Sequence, residues 1–281
     1  MKYLSRVCIL MFTTLLFACS PPSQPNADTA TASSADSAST NTAESGRSAQ
    51  PCSLTMGFDA WEPYQYIGVG NVVTGLDVEI VRAVAHEMNC LIQTQQATWV
   101  ELLQGVRSGN IDLVLGASFT EDRDAFAHFS DPYREEQFVL YVRQGEGRKR
   151  YDSIEEFVSA GNTLGIVNEY YYGDDIRALT TNSEFADQFM GAVISELNMA
   201  RLIDEDIDGF LEDHFVGASI LRRKGLDAYI EPHGLNLGSS PVYVMFSKAS
   251  VSWETVSAFN QALARVKTSG RYQEIVDKYD L

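Results

Sequence analysis

The chain has 281 residues, with 38 acidic side chains against 21 basic ones and a net charge of −17. So acidic a surface disfavours nucleic acid and anionic lipid as partners. His86, His128, His214 and His233 are scattered without metal-ligand spacing, and the sequence contains no Cys-x-x-Cys, no phosphate-cradling glycine motif and no Gly-x-Ser-x-Gly turn, so no metal, cofactor or hydrolase nucleophile is expected.

In chain order, Lys2 and Arg6 precede an apolar run that ends at Ala18, the form of a secretory signal and too short to span a bilayer well. Leu16-Phe17-Ala18-Cys19 resembles the lipobox of bacterial lipoproteins, which implies cleavage after residue 18, lipidation of Cys19 and a membrane anchor. Ser20 after Cys19 leans toward the outer membrane where a cell has two. Residues 20–50 contain no Ile, Leu, Val, Met, Phe, Tyr or Trp, so this segment has no apolar surface to offset its ordering entropy. It reads as a disordered tether of about 30 residues with a reach of roughly 30 Å. Loss of Lys2 and Arg6 with the signal takes the net charge to −19. Cys52 and Cys90 then remain as the two cysteines of an exported body.

Periodicity from residue 51 onward predicts an alternating α/β body. Strands are expected at 53–58, 91–95, 111–115, 163–167, 207–211 and 242–246. Helices are expected at 76–89, 99–108, about 193–203, 213–224, 252–267 and 271–278. Cys52 and Cys90 open two consecutive strands at the same end, which allows a disulfide if those strands are neighbours.

Several blocks in order resemble the family 3 extracellular solute-binding proteins of amino-acid ABC importers, whose familiar members include glutamine- and histidine-binding proteins. They are Thr74-Gly75-Leu76-Asp77-Val78-Glu79-Ile80, Trp99 to Gly109, Asn110-Ile111-Asp112-Leu113, Ser118-Phe119-Thr120-Glu121-Asp122-Arg123, Phe129-Ser130-Asp131-Pro132-Tyr133, and Ser269-Gly270-Arg271-Tyr272-Gln273-Glu274-Ile275. The resemblance spans residues 51–281. It implies an α/β, two-lobed periplasmic-binding-protein-like fold of type II, with ligand in a cleft between lobes joined by two crossing hinge segments. One lobe would be 51–132 plus 243–281, the other 138–238, with hinges at 133–137 and 239–242. It also implies a monomer that closes on a small amino acid or analogue and delivers it to an ABC permease.

Burying a zwitterion requires a fixed partner for each charge. The resemblance assigns the carboxylate to the fork of Arg123, with Ser118, neighbouring backbone N–H groups and Gly116 beside it. It assigns the ammonium to Asp213, with Glu212 as substitute, and aromatic walls to Trp61 and Trp99, with Tyr64 as a further contact. Plainer readings stay open: Arg123 as a surface residue among Glu121, Asp122 and Asp124, Asp213 as a helix cap, and both tryptophans as core. The sequence departs from the family at Asn168-Glu169-Tyr170-Tyr171-Tyr172-Gly173, where a small glycine-rich turn is usual; three tyrosines must reshape that side of the pocket or plug it. Phe58 stands where the glutamine-binding protein has an acidic contact. The acids Glu169, Glu212 and Asp213 hint at a cationic or polar ligand. Rival readings are a sensor that presents its loaded form to a receptor, and an enzyme similar to cyclohexadienyl dehydratases with Glu212 or Glu169 as the acid.

Overall fold

The computed structural model describes residues 52–279; the expected signal, Cys19 and the 20–50 tether lie outside the described residues. β1 (Cys52–Phe58) leads through the short pair β2 (Tyr66–Ile67) and β3 (Val73–Thr74) into α1 (Leu76–Glu87). Leu76, Ile80, Val81 and Val84 form one buried stripe of α1, the 3.6-residue pattern of a helix laid on a sheet. β4 (Cys90–Gln96), α2 (Trp99–Ser108), β5 (Leu113–Ala117), α3 (Glu121–Asp124) and β6 (Ala127–Phe129) follow. The start of α2 is fixed by a capping box, with Glu101 accepting from the Thr98 N–H at 2.9 Å, and its end by Gly109 in the left-handed region.

β7 (Arg134–Glu136) carries the chain out of this first layer. The second lobe contains β8 (Phe138–Arg143), α4 (Ile154–Ser159), β9 (Leu164–Val167), α5 (Asp174–Thr181), β10 (Phe189–Ala192), α6 (Ser195–Ile203), β11 (Gly209–Asp213), α7 (His214–Lys224) and β12 (Ile230–Pro232). β13 (Ser240–Ser247) returns to the first lobe, which α8 (Trp253–Thr268) and α9 (Arg271–Val276) complete.

Two mixed sheets result, ordered β4-β1-β5-β13-β6 and β10-β9-β11-β8-β12. In the first, β1 is parallel to β4 and β5 while β13 runs against them; in the second, β8 runs against β11 and β12. Between the sheets, β7 pairs antiparallel with the first residues of β13, Arg134 opposite Val242 and Glu136 opposite Ser240. The central strands of each sheet are mostly buried on both faces, while the edge strand β4 is largely exposed. Trp99, Leu102 and Val106 of α2 pack with Met245 of β13, and Phe157 of α4 packs with Leu140, Leu164 and Leu211 of the second sheet. Among the described residues no helix is long and apolar enough to cross a membrane.

Three differences from the sequence reading have local causes. The strand expected at 111–115 begins at Leu113, because the N–H groups of Asn110 and Ile111 both bond to the Gly105 carbonyl and prolong the helix turn. The strand expected at 207–211 begins at Gly209, since Asp206 N–H is still bonded to Arg201 O at the end of α6. β8 has no counterpart among the expected strands. Phe138 to Val142 is buried throughout, so it shows no period-two alternation to mark it.

Cys52 and Cys90 are register partners on adjacent parallel strands and form a disulfide with Cα atoms 4.5 Å apart. The bond closes a loop with a sequence separation of 38. Replacing both cysteines by serine is expected to lower stability by about 2–4 kcal/mol, read as an earlier denaturation midpoint that added reductant does not shift further.

Candidate functional site

The chain ends of the parallel strands converge on one cleft. Trp61 follows β1, Trp99 follows β4 and Ser118 follows β5 in the first lobe, while Tyr170 follows β9 and Asp213 ends β11 in the second. In open α/β sheets the crevice beyond the carboxyl ends of the strands is where backbone and side-chain groups are free to face a ligand. Among the expected residues, Trp61, Trp99, Gly116, Ser118 and Arg123 line the void in this cleft, together with Asp59, Glu136, Phe138, Tyr170 and Tyr171. Only about 30 Å³ of water-accessible space remains there, room for one or two waters. Tyr64, Glu212 and Asp213 do not line the void; all three are buried behind Trp61.

Gly116 has φ of +65°, and a Cβ there would stand 3.1 Å from the Trp61 ring and 3.4 Å from Arg134 Nη2. Both the backbone conformation and the packing therefore require glycine. Arg123 is held on the short turn of α3, where its N–H bonds to Thr120 Oγ1 at 3.2 Å. It is 7% exposed rather than a surface residue. Its guanidinium donates to Ser118 O at 2.9 Å and to Glu169 O at 2.7 Å, and lies 5.3 Å from the centre of the Trp99 ring. Burial lowers its pKa, and the carboxylates of Glu136 and Glu169 oppose that shift.

The floor of the cleft is an ion pair. Asp77, in the first turn of α1, accepts from Arg134 Nε at 2.7 Å and from Nη2 at 3.1 Å, and the two side chains are 0% and 6% exposed. Burial alone would depress the Arg134 pKa, but the adjacent Asp77 carboxylate outweighs it and holds that pKa well above the ordinary value. Arg134 also lies 3.6 Å above the Tyr64 ring and 5.5 Å from the Trp61 ring, a cation–π arrangement. Those two rings in turn reach the second lobe: Trp61 Nε1 donates to Glu212 Oε1 at 3.2 Å and the Tyr64 hydroxyl to Asp213 Oδ2 at 3.4 Å.

Asp213 caps α7, accepting from Phe215 and Val216 N–H through Oδ1, so the helix-cap reading is correct and leaves Oδ2 turned toward Tyr64. Glu212 accepts from Trp61, from the Asp213 N–H at 2.8 Å and from the Ser195 hydroxyl. Burial pushes Glu212 up to about 7 against these donors, and raises Asp213 as well.

Glu136, on β7, is a cleft residue that the sequence reading missed. It is 4% exposed and accepts the Ser118 hydroxyl at 2.9 Å, so that hydroxyl faces a carboxylate of the protein itself. Burial pushes Glu136 up to about 8, with Arg134, Ser118 and Arg123 pulling down and Asp213 pushing further up. The available signal was strand parity: Glu136 falls on the same face as Arg134, while Glu135 between them is exposed.

The three tyrosines divide their roles. The Tyr172 hydroxyl accepts from Val167 N–H at 2.8 Å and its ring meets Phe138 at 4.6 Å, inside the second lobe. Tyr170 points across the cleft, with its ring edge-on to Trp61 at 6.3 Å and to Trp99 at 6.1 Å. The carbonyl of Glu169 accepts both the Trp99 indole N–H at 3.1 Å and Arg123. Trp99 both lines the void and forms part of the core beneath α2.

Two predictions follow from these groups. Asp77→Asn leaves Arg134 buried without its counter-charge and is expected to cost about 3–5 kcal/mol in chemical denaturation. Glu136 binds its proton more tightly folded than unfolded, so it contributes stability below the ordinary carboxylate range that is lost as pH rises through about 8. Glu136→Gln lacks that loss. Between pH 5 and pH 9 the variant is expected to lose on the order of 4 kcal/mol less than wild type, measured by denaturant titration.

With this geometry in place, comparison with known proteins gives a consistent picture. Residues 54–280 match the family model of bacterial extracellular solute-binding proteins, family 3. The chain is 26% identical over 223 residues to a probable histidine-binding protein of Neisseria gonorrhoeae, covering 77% of this chain and 78% of that one. It is 24% identical over 230 residues to the arginine-binding extracellular protein ArtP of Bacillus subtilis, covering 80% and 85%. A histidine kinase sensor domain with similarity to periplasmic binding proteins superposes with a TM-score of 0.71 at 17% identity, covering 82% of this chain and 96% of that one.

Proposed function

Because the chain belongs to the bacterial extracellular solute-binding proteins of family 3, we propose that it captures an amino acid with a cationic side chain between its lobes and delivers it to an ABC permease. The observation that carries this reading is the division of charge: Arg123 lines the cleft from the first lobe, and the Glu212–Asp213 pair of the second lobe lies directly behind its Trp61 wall, bonded to Trp61 and Tyr64. A zwitterion that engages both sides binds the closed state more tightly than the open one, and that difference drives closure. The paired strands β7 and β13 support hinges at 133–137 and 239–242. Glu136 is a further acid lining the cleft, and a positively charged ligand side chain beside it would favour its ionised form and gain a counter-charge there. The similar proteins named for histidine and arginine fit that preference.

Capture rather than turnover agrees with the acids themselves. Glu212 is held by three donors, and the Glu169 residue is exposed, so neither is presented to a substrate as a proton donor. We read Cys19 as lipidated, with residues 20–50 holding the monomeric body off the membrane on the periplasmic side.

A thermal-shift screen of the full chain against the common amino acids and polyamines tests the reading. Ligand at 100 times its dissociation constant stabilises by about 2.7 kcal/mol. L-arginine, L-lysine or L-histidine is expected to raise the melting temperature, and Arg123→Ala and Asp213→Asn, the latter keeping a capping oxygen, are each expected to abolish the rise. A response to neutral amino acids alone removes the cationic preference, and a response only to compounds without an amine overturns amino-acid capture.

A further inference from the structure

The donors that would receive an amino acid's carboxylate are already satisfied by the protein. Arg123 Nη2 and Trp99 Nε1 both donate to the carbonyl of Glu169, at 2.7 and 3.1 Å, so one backbone oxygen of the second lobe takes a place that a ligand's carboxylate oxygen would take. The adjacent Tyr170 ring, also from the second lobe, fills the slot between the Trp61 and Trp99 rings and packs on the first-lobe core under α2. With the ring in place, the space left for the centres of water-sized molecules is only about 30 Å³, room for one or two waters. Among the described residues no hydrogen bond engages the Tyr170 hydroxyl, and the ring makes the contacts that hold it there.

We propose that the Glu169–Tyr170 turn is a resident occupant of the cleft and that Tyr170 is the residue that sets its affinity and selectivity. A ligand binds by taking Arg123 and Trp99 from the Glu169 carbonyl and by displacing the Tyr170 ring from between the two indoles. Two consequences follow. The lobes stay together without ligand, bridged by their own groups. A ligand gains only the difference between its contacts and those it replaces, which favours side chains able to satisfy both indole faces, as a planar cation does. The state of the ligand-free cleft does not depend on the ligand's identity; the selectivity rests on the amino-acid reading above.

The test combines small-angle X-ray scattering of the ligand-free full chain with titration calorimetry, using L-arginine and L-histidine as probes. Tyr170→Ala, and Tyr170→Gln as a second ring deletion, are expected to expand the ligand-free protein and to bind the probes at least about tenfold more tightly than wild type. Tyr170→Phe keeps the ring and is expected to restore the compact profile. Ring deletions as compact as wild type overturn the proposal whatever they bind, and so does expansion accompanied by measurable but no tighter binding. Expansion with no binding of any amino acid by any form leaves the occupant in place and overturns amino-acid capture instead.

Discussion

The Asp77–Arg134 pair is the interaction on which the cleft depends. It ties the first turn of α1 to the strand that leaves the first lobe, and both partners are almost wholly removed from water. In such surroundings a bidentate guanidinium–carboxylate pair has one strongly preferred geometry, because any rotation leaves a charge unpaired. Arg134 therefore lies flat over Tyr64 and near Trp61, and these two rings set where Asp213 and Glu212 meet the first lobe. A single buried pair thus orients the cleft floor, one wall and two contacts between lobes.

Around that pair the site is rich in buried acids. Burial penalises the charged forms of Glu136, Glu212 and Asp213 and raises the pKa of each, Glu136 to about 8 and Glu212 to about 7. Arg123 is the guanidinium that lines the void with Glu136, and its pKa is lowered by the same burial. Such a site is electrostatically unfinished toward cations. Its donors, by contrast, are satisfied internally, by the Glu169 carbonyl and by Glu136 itself. The protein's groups compete with a ligand for the donors far more than for the acceptors.

Much of the frame was legible because it is local. The apolar stripe of α1, the Thr98–Glu101 box and Gly109 around α2, and the cap at Asp213 all follow from side-chain spacing and from the unpaired N–H groups at helix starts. The parallel strands opened by Cys52 and Cys90 were legible for the same reason, and their register brings the two sulfurs together. β8 was not legible, because a strand covered on both faces has no alternation and its apolar run fits several structures.

The sequence by itself determined an acidic α/β chain with a lipoprotein-like leader, a disulfide-competent pair of strands and candidate residues for both ends of a zwitterion. Only the tertiary structure decided what those candidates touch. Arg123 and Ser118 lie close in sequence, yet their partners Glu169 and Glu136 come from other elements. Tyr170, Tyr171 and Tyr172 are identical as residues, but one packs inside the second lobe and another enters the cleft. Burial, which sets the titration of Glu136 and the freedom of Arg123, depends on the packing of distant segments against each other. It is a property of the assembled lobes that no local pattern encodes.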